Sequence, residues 1–227
     1  MNFAFDVDGT LTLSRQSIDP KFQKWFLSFC QSNTVYLVTG SDYVKTVEQL
    51  GEDICNTVAG VYSCCGNALY INGELQYSNH FELTAGQENF LTRLLNVSSF
   101  PFKTGIHIEK RLGLVNFSIV GRNATMAQRH YYSGYDYALS ERKNLAELIE
   151  NEFPELDAKL GGDTGIDIYP KGKDKSQIVD KIKPFVFFGD KIYPGGNDYT
   201  IAQHAEVCYN VLSHEETFNI LKKDYSI

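Results

Sequence analysis

Two aspartates separated by one residue stand near the start of the chain, in the string Asp6-Val7-Asp8-Gly9-Thr10. The apolar residues 3–5 before them predict a buried strand, and Gly9 allows the backbone to turn away directly after the pair. Carboxylates at the carboxyl end of a parallel strand lie where open α/β sheets bind their ligands. Asp6 could then attack a phosphorus atom, and Asp8 could move protons to and from the reacting oxygens. Taken alone, the pair is better explained as an acidic strand end that faces water.

Further polar groups follow predicted strands or begin predicted helices. Thr39 and Ser41 follow the second strand and could hydrogen-bond phosphoryl oxygens, and Lys175 could neutralise both the nucleophile and the phosphate. Each has a simpler interpretation, as an ordinary turn or as a solvated surface lysine. Their order along the chain, after a carboxylate pair and before a second one, favours phosphoryl transfer.

The second carboxylate pair, Asp190 and Asp198, comes after the last strongly apolar strand. A carboxylate that approaches a phosphate dianion is repelled, so the reaction needs a cation. We expect Mg²⁺ to be held by Asp6, by the backbone carbonyl of Asp8 and by Asp190, with Asp198 close by. The alternative for this segment is a helix cap followed by a tight loop.

Alternating strands and helices must position these groups, which predicts an α/β fold with a parallel sheet. Asn72-Gly73 predicts a hairpin turn, and Val44, Val47 and Leu50 are expected on one apolar helix face. The pattern changes between residues 78 and 173 to helix, strands, helices and a final strand. We therefore expect a core formed by residues 1–77 and 174–227, with residues 78–173 inserted as a second domain.

Composition excludes several classes of protein. With 43% hydrophobic residues the 227-residue chain can bury a sizeable core, and no apolar segment is long enough to span a bilayer. A formal net charge of −7 argues against general nucleic-acid binding, which still leaves room for a local basic pocket. We expect the thiols to be reduced, because no signal peptide precedes the first strand and the five cysteines lack metal-finger spacing. Cys64 and Cys65 are expected to be packing residues rather than a redox pair. We expect a cytoplasmic enzyme that binds neither nucleic acid nor membranes.

The string Asp-x-Asp-Gly-Thr after an amino-terminal strand resembles the first motif of the haloacid dehalogenase (HAD) superfamily of phosphoryl-transfer enzymes. The four polar segments match that superfamily in order, and the insert lies between the second and the third. The resemblance implies a Rossmann-like parallel-sheet core with an inserted α/β cap that is similar to type IIB.

Longer strings are similar to one family, the eukaryotic-type phosphomannomutases. They are Phe5-Asp6-Val7-Asp8-Gly9-Thr10-Leu11-Thr12 with Arg15-Gln16, Gly40-Ser41-Asp42-Tyr43 with Glu48-Gln49-Leu50-Gly51, Asn116-Phe117-Ser118 with Gly121-Arg122-Asn123, and Gly189-Asp190-Lys191 with Pro194-Gly195-Gly196-Asn197-Asp198. This resemblance covers nearly the whole chain. It implies a Mg²⁺-dependent enzyme that interconverts mannose 6-phosphate and mannose 1-phosphate through an aspartyl phosphate and a hexose bisphosphate, feeding GDP-mannose synthesis. It also implies a homodimer through the cap.

The same resemblance implies how the hexose phosphate is bound. The matching positions are the cap arginines Arg111, Arg122 and Arg129, the core residue Arg15, and Asp167, which would bind sugar hydroxyls. Guanidinium groups suit this task because they pair with phosphate through two parallel hydrogen bonds.

Two positions depart from the family pattern. Gly165 stands where a serine is usual, which removes one hydroxyl contact to the sugar, and Thr39 stands where glycine is common. A sugar-phosphate phosphatase, in which water accepts the phosphoryl group, is therefore the alternative enzyme, and a non-catalytic sugar-phosphate binding protein is the alternative from another class. The tyrosines at 131, 132, 135 and 137 could pack in the cap core or form a subunit contact.

Overall fold

The computed structural model describes residues 1–225. The chain forms two compact units, one made of Met1–Asn79 together with the chain from Lys173 onwards, the other of His80–Gly172. Both are mixed α/β units, and we refer to them as the core and the cap.

The strands are β1 (Asn2–Phe5), β2 (Thr34–Val38), β3 (Gly60–Ser63), β4 (Ala68–Ile71), β5 (Glu74–Ser78), β6 (Ile108–Arg111), β7 (Leu114–Phe117), β8 (Leu156–Gly161), β9 (Gly165–Pro170), β10 (Phe185–Gly189) and β11 (Val207–Asn210). The helices are α1 (Pro20–Ser32), α2 (Tyr43–Leu50), α3 (Glu52–Thr57), α4 (Ala85–Val97), α5 (Met126–Leu139), α6 (Glu141–Glu152), α7 (Val179–Ile182), α8 (Tyr199–Ala202) and α9 (His214–Asp224).

The core is built on one sheet with the strand order β11-β10-β1-β2-β3-β4-β5. From β11 to β3 the neighbouring strands are parallel, and β4 and β5 then add an antiparallel edge. Phe5 lies opposite Leu37 on one side and Phe188 on the other, so the three central strands end at the same level. Asp6, Thr39 and Asp190 follow directly after these ends, which brings the first, second and last polar segments to one edge of the sheet.

Burial on both faces explains the apolar character of the central strands. In β10, Phe188 packs in a cluster with Phe5, Phe26 and other side chains, whereas its neighbour Phe187 packs on the opposite face. Successive side chains of a strand point to opposite faces, so a strand covered on both sides needs an unbroken apolar run.

Short polar signals set the ends of several core elements. Asp19 accepts hydrogen bonds from the first backbone amides of α1, and Asp42 accepts one from Lys45 at the start of α2. Asn72 and Gly73 both have positive φ, as the hairpin turn requires. The expected apolar face of α2 was wrong at Val44, whose exposed fraction is 68%. The helix buries Leu50 as expected and packs Val47 against the core cluster, and it also buries the polar residues Thr46 and Gln49, of which Gln49 is bonded to the loop after β1.

The cap is a four-stranded antiparallel sheet with the order β6-β7-β9-β8. One row of paired residues, formed by Ile108, Phe117, Ile166 and Leu160, belongs to the face that packs against the helices, where Val115, Ile168 and Tyr132 complete the cluster. The adjacent row is polar across all four strands and consists of Glu109, Asn116, Asp167 and Lys159. Alternation along the strands therefore gives the cap sheet one apolar and one polar face.

Strand β8 is absent from the sequence-based prediction. The segment Leu-Asp-Ala-Lys-Leu-Gly of β8 has little β propensity, and its pairing with β9 along six residues provides the stabilisation. Tyr132 is fully buried in the cap cluster, whereas Tyr131 and Tyr137 are exposed, so the tyrosines serve different roles.

Within residues 1–225, no helix has both the length and the apolar character needed to cross a membrane. The cysteines form no disulfide in this part of the chain. Cys64 and Cys65 are buried and both have positive φ, 53° and 59°, in a tight turn directly after β3.

Candidate active site

Three aspartates meet at the carboxyl edge of the core sheet. Asp6 follows β1, Asp190 follows β10, and Asp198 directly precedes α8. One carboxylate oxygen from each lies within 4.8 Å of the others, and Asp6 and Asp198 are buried. The sequence separates Asp6 from the other two by more than 180 positions, and the parallel sheet brings them together.

Two lysines lie among these carboxylates. The Lys175 ammonium is fully buried and donates to Asp6 Oδ1 at 2.5 Å and to Asp198 Oδ1 at 2.7 Å. Lys191 donates through its side chain to Asp190 and through its backbone N–H to Asp198 Oδ2 at 3.2 Å. Lys175 is thus an internal bridge between two carboxylates, and the interpretation as a surface lysine was wrong.

Three carboxyl groups share two ammonium groups in this cluster, so ionisation of all three would leave an excess of negative charge. Burial raises the pKa of the Asp6 carboxyl to about 8, with Lys175 opposing the shift and Asp198 and Asp190 adding to it. Burial also raises the pKa of Asp190, against the effect of Lys191. Burial disfavours the charged form of Lys175, but Asp198 and Asp6 outweigh this and raise its pKa, so the ammonium stays protonated. The aspartates lack a further positive charge.

The same residues fit a hard divalent cation. Asp190 Oδ1 is buried and accepts no hydrogen bond from any described residue, so it has a lone pair to offer. Gly9, with φ of 91°, lies so close that a Cβ at this position would overlap the Asp190 carboxylate. Carboxylate oxygens are the ligands such ions prefer, and the missing positive charge is what an ion would supply.

Asp8 lies apart from the three aspartates and is held by hydrogen bonds on both oxygens. Its Oδ1 accepts from the backbone N–H of Arg15 and from Gln49 Nε2, both at 2.9 Å. Its Oδ2 accepts from Ser41 Oγ at 3.2 Å. The carboxylate is therefore oriented by residues of the loop after β1, of the loop after β2 and of α2.

The loop after β2 is itself held in place. Thr39 is buried, and its Oγ1 accepts a hydrogen bond from the Ser41 backbone N–H at 3.0 Å. The backbone amides of Cys64 and Cys65 donate to the carbonyl groups of Ser41 and Thr39 at 2.9 and 2.8 Å. The turn at Cys64 and Cys65 thus supports the loop through its backbone.

In the cap, two of the expected substrate arginines share one carboxylate. Glu109 accepts from Arg111 Nε at 2.7 Å and from Arg122 Nε at 3.0 Å, one carboxylate oxygen serving each. Burial opposes ionisation of Glu109, but the two guanidinium groups outweigh it and lower its pKa. The arginines come from β6 and from the segment after β7, so Glu109 connects neighbouring parts of the sheet.

Asp167 lies on the polar row of the cap sheet, buried next to Asn116. Asn116 Nδ2 donates to Asp167 Oδ1 at 2.7 Å. A Cβ at Gly165 would overlap the Asn116 side chain, so the glycine makes the space that this amide occupies. Residue 165 therefore carries no hydroxyl group, and Asp167 receives a hydrogen bond from the Asn116 amide on the adjacent strand.

The remaining two expected substrate arginines belong to different units of the chain. Arg15, in the core, has a φ of 61° and uses its backbone N–H on Asp8. Arg129 is a buried residue of α5 in the cap.

Sequence reasoning missed three residues of these networks: Gln49, Lys191 and Glu109. Glu109 was detectable, because it stands two residues before Arg111 and thus on the same face of a strand. Lys191 directly follows Asp190 in the sequence, and this position alone does not indicate that the lysine side chain bonds to the Asp190 carboxylate. Gln49 could be found only from the packing of α2 on the loop after β1.

Comparisons with known proteins agree with this arrangement. The family model described as eukaryotic phosphomannomutase matches residues 22–227. A phosphomannomutase of Dendrobium officinale is 35% identical and aligns with 94% of this chain and 89% of its own, and one of Solanum lycopersicum is 34% identical over the same shares.

Among solved structures, the HAD subclass IIB sugar phosphatase BT4131 superposes with a TM-score of 0.54 at 15% identity, over 91% of this chain and 85% of its own. This likeness shows the fold, an α/β core with an inserted α/β cap. The sequence matches extend through both units, and the chain therefore belongs to the eukaryotic phosphomannomutase family.

Proposed function

We propose that this protein is a Mg²⁺-dependent phosphomannomutase that interconverts mannose 6-phosphate and mannose 1-phosphate. Family membership supports the reaction, and the observation that carries the proposal is the buried cluster of Asp6, Asp190 and Asp198 around Lys175. The product, mannose 1-phosphate, would supply GDP-mannose synthesis. Bound Mg²⁺ would neutralise carboxylate and phosphate charge during transfer.

In this mechanism Asp6 is the nucleophile. A carboxylate oxygen of Asp6 forms a bond to one phosphorus of the hexose bisphosphate as the bond from that phosphorus to the sugar oxygen breaks, and Asp8 gives that oxygen a proton, which leaves a hexose monophosphate. In the second half-reaction Asp8 removes the proton from the free hydroxyl of a hexose monophosphate that carries its phosphate at the other end, and that oxygen takes the phosphoryl group from Asp6 to form the bisphosphate again. Lys175 keeps the Asp6 carboxylate oriented, and Thr39, Ser41 and nearby backbone amides are proposed to bind phosphoryl oxygens.

The proposed metal ligands are the side chains of Asp6, Asp190 and Asp198 and the backbone carbonyl of Asp8. The unpartnered Asp190 oxygen and the excess negative charge support this assignment. All of these groups offer oxygen atoms, the ligand type that Mg²⁺ prefers.

We assign catalysis to the core and substrate specificity to the cap. Arg111, Arg122 and Arg129 are proposed to anchor the phosphate that is not being transferred, with Arg15 contributed by the core. Asp167 is proposed to bind sugar hydroxyls, at a site shaped by Gly165. The polar row of the cap sheet supports this, because it gathers charged and amide groups on one face.

A coupled assay tests the proposal. Mannose 1-phosphate is supplied with a hexose bisphosphate activator, and both mannose 6-phosphate and inorganic phosphate are measured. We expect isomerisation with little phosphate release. Rapid phosphate release without isomer would instead identify a sugar-phosphate phosphatase, and no turnover of any hexose phosphate would favour a binding protein.

A homodimer through the cap and a cytoplasmic location remain predictions. Exposed aromatic side chains on the cap, among them Phe102 and Tyr131, support a subunit contact, because their rings pack together at the surface 5.9 Å apart. Tyr131→Glu should convert a dimer into a monomer in sedimentation velocity, and an unchanged assembly would place the contact elsewhere.

A further inference from the structure

Gln49 is a buried glutamine that the proposed mechanism does not use. It lies near the end of α2, and only 2% of its surface is exposed. Its amide Nε2 donates to Asp8 Oδ1 at 2.9 Å and to Thr12 Oγ1 at 3.0 Å. A single side chain thus binds both the carboxylate and the loop next to it.

The backbone of Gln49 holds the other end of the same loop. Its carbonyl accepts a hydrogen bond from the Ile18 N–H at 2.8 Å. Between these points, the Arg15 N–H donates to the same oxygen of Asp8 that Gln49 binds. The segment from Asp8 to Ile18 is therefore attached to one residue of α2 at its beginning and at its end.

Helix α2 provides a firm support for these bonds. Asp42 caps its first turn, and Gln23 of α1 donates through Nε2 to the Leu50 carbonyl at 2.9 Å. With Ser41 bound to Oδ2, the Asp8 carboxylate has a donor on each oxygen. Without the Gln49 amide, Oδ1 would keep only the Arg15 N–H, and the loop would keep only the backbone bond between Ile18 and α2.

We propose that Gln49 is a positioning residue that keeps Asp8 within reach of the reacting oxygen. The inference rests on the proposed function, in which Asp8 is the general acid and base. A general acid must lie within hydrogen-bond distance of the oxygen that it protonates, and a displacement of about 1 Å can cost roughly 100-fold in rate.

The leaving group separates positioning of Asp8 from general support of the fold. When Asp6 attacks a sugar phosphate, the departing alkoxide must receive a proton from Asp8. When Asp6 attacks p-nitrophenyl phosphate, the bond from phosphorus to the aryl oxygen breaks and a stable phenolate leaves without a proton. Loss of Gln49 should therefore slow the first reaction and spare the first turnover of the second.

The experiment compares wild type, Gln49→Met and Gln23→Met. Methionine matches the length of glutamine but has no hydrogen-bond donor. Gln23→Met removes a hydrogen bond from a side-chain amide to the end of the same helix and leaves the contacts of Asp8 intact. For Gln49→Met we expect kcat for mannose 1-phosphate isomerisation to fall about 10- to 100-fold. KM and the first-turnover rate of nitrophenolate release should stay within about threefold of wild type, a difference small beside that loss. Gln23→Met should resemble wild type in all three measurements.

Equal slowing of both substrates by Gln49→Met would overturn the inference, since a damaged fold affects both alike, and so would unchanged isomerisation. If Gln49→Met does not fold, Gln49→Glu serves instead, because it keeps the side-chain length and replaces the donor with an oxygen. The same selective loss is expected from it. Wild type without isomerase activity would refute the proposed function, and the inference would fall with it, whereas active wild type with non-selective variants would refute only the role of Gln49.

Discussion

Removing the Lys175 ammonium tests the charge arrangement of the core most directly. Lys175→Met keeps the length of the side chain but leaves Asp6 and Asp198 buried without the positive charge between them. Breaking a buried ion pair by removing one partner typically costs about 3–5 kcal/mol. For a chain of this size, such a loss corresponds to a decrease of about 6–20 °C in Tm.

The penalty should depend on pH, and its sign is set by the burial of the carboxylates. In the intact protein burial already raises the pKa of Asp6 to about 8 against the opposing effect of Lys175, and without that ammonium the buried carboxyl would resist ionisation still more. Asp6 is protonated in both folded proteins at low pH, so the stability difference between variant and wild type should grow as the pH rises towards and above 8, where only wild type can ionise Asp6 beside Lys175.

Urea unfolding can monitor this change through a single fluorophore. Trp25 is the only tryptophan of the chain and packs on Phe29 in the core, so its fluorescence reports on the unit that contains Lys175. Lys183→Met is the matched control, because Lys183 pairs with Asp180 at the surface, where water screens the attraction between the two charges. Equal stability of Lys175→Met and the control near neutral pH, or a loss that does not grow with pH, would refute the reasoning.

Three substitutions test other parts of the site. Asp190→Asn should weaken Mg²⁺ activation, seen as a higher Mg²⁺ concentration for half-maximal activity, whereas unchanged activation would remove Asp190 from the metal site. Arg122→Ala should raise KM for the hexose phosphate about 10-fold or more, because a charged hydrogen bond worth about 1.5–3 kcal/mol is lost, and unaltered kinetics would exclude this arginine from anchoring. Gly165→Ser should displace the Asn116 amide from Asp167 at a cost of about 1–3 kcal/mol, measured as reduced thermal stability, and an undisturbed Tm would show that Asn116 moves freely.

Predictions from sequence succeeded where a local pattern has few structural solutions. Positive φ at two consecutive positions suits Asn72-Gly73, and the unbroken apolar run of β10 suits a strand that is covered on both faces. The prediction for α2 was wrong at Val44 because part of the buried face of this helix is polar. A buried polar residue such as Gln49 cannot be recognised from the spacing of apolar residues. Strand β8 was missed because its stability comes from its partner β9 rather than from its own composition.

The amino-acid sequence was sufficient to identify which groups could do the chemistry and at which edge of the sheet they lie. The order of the parallel strands brings the residues after β1, β2 and β10 together, so Asp6, Thr39 and Asp190 could be assigned to one site from their positions after apolar runs. The three-dimensional structure was needed to establish how those groups are charged and held. The bridge made by Lys175 and the amide of Gln49 depend on side chains distant in sequence that meet at hydrogen-bond distance, and no local pattern encodes such distances.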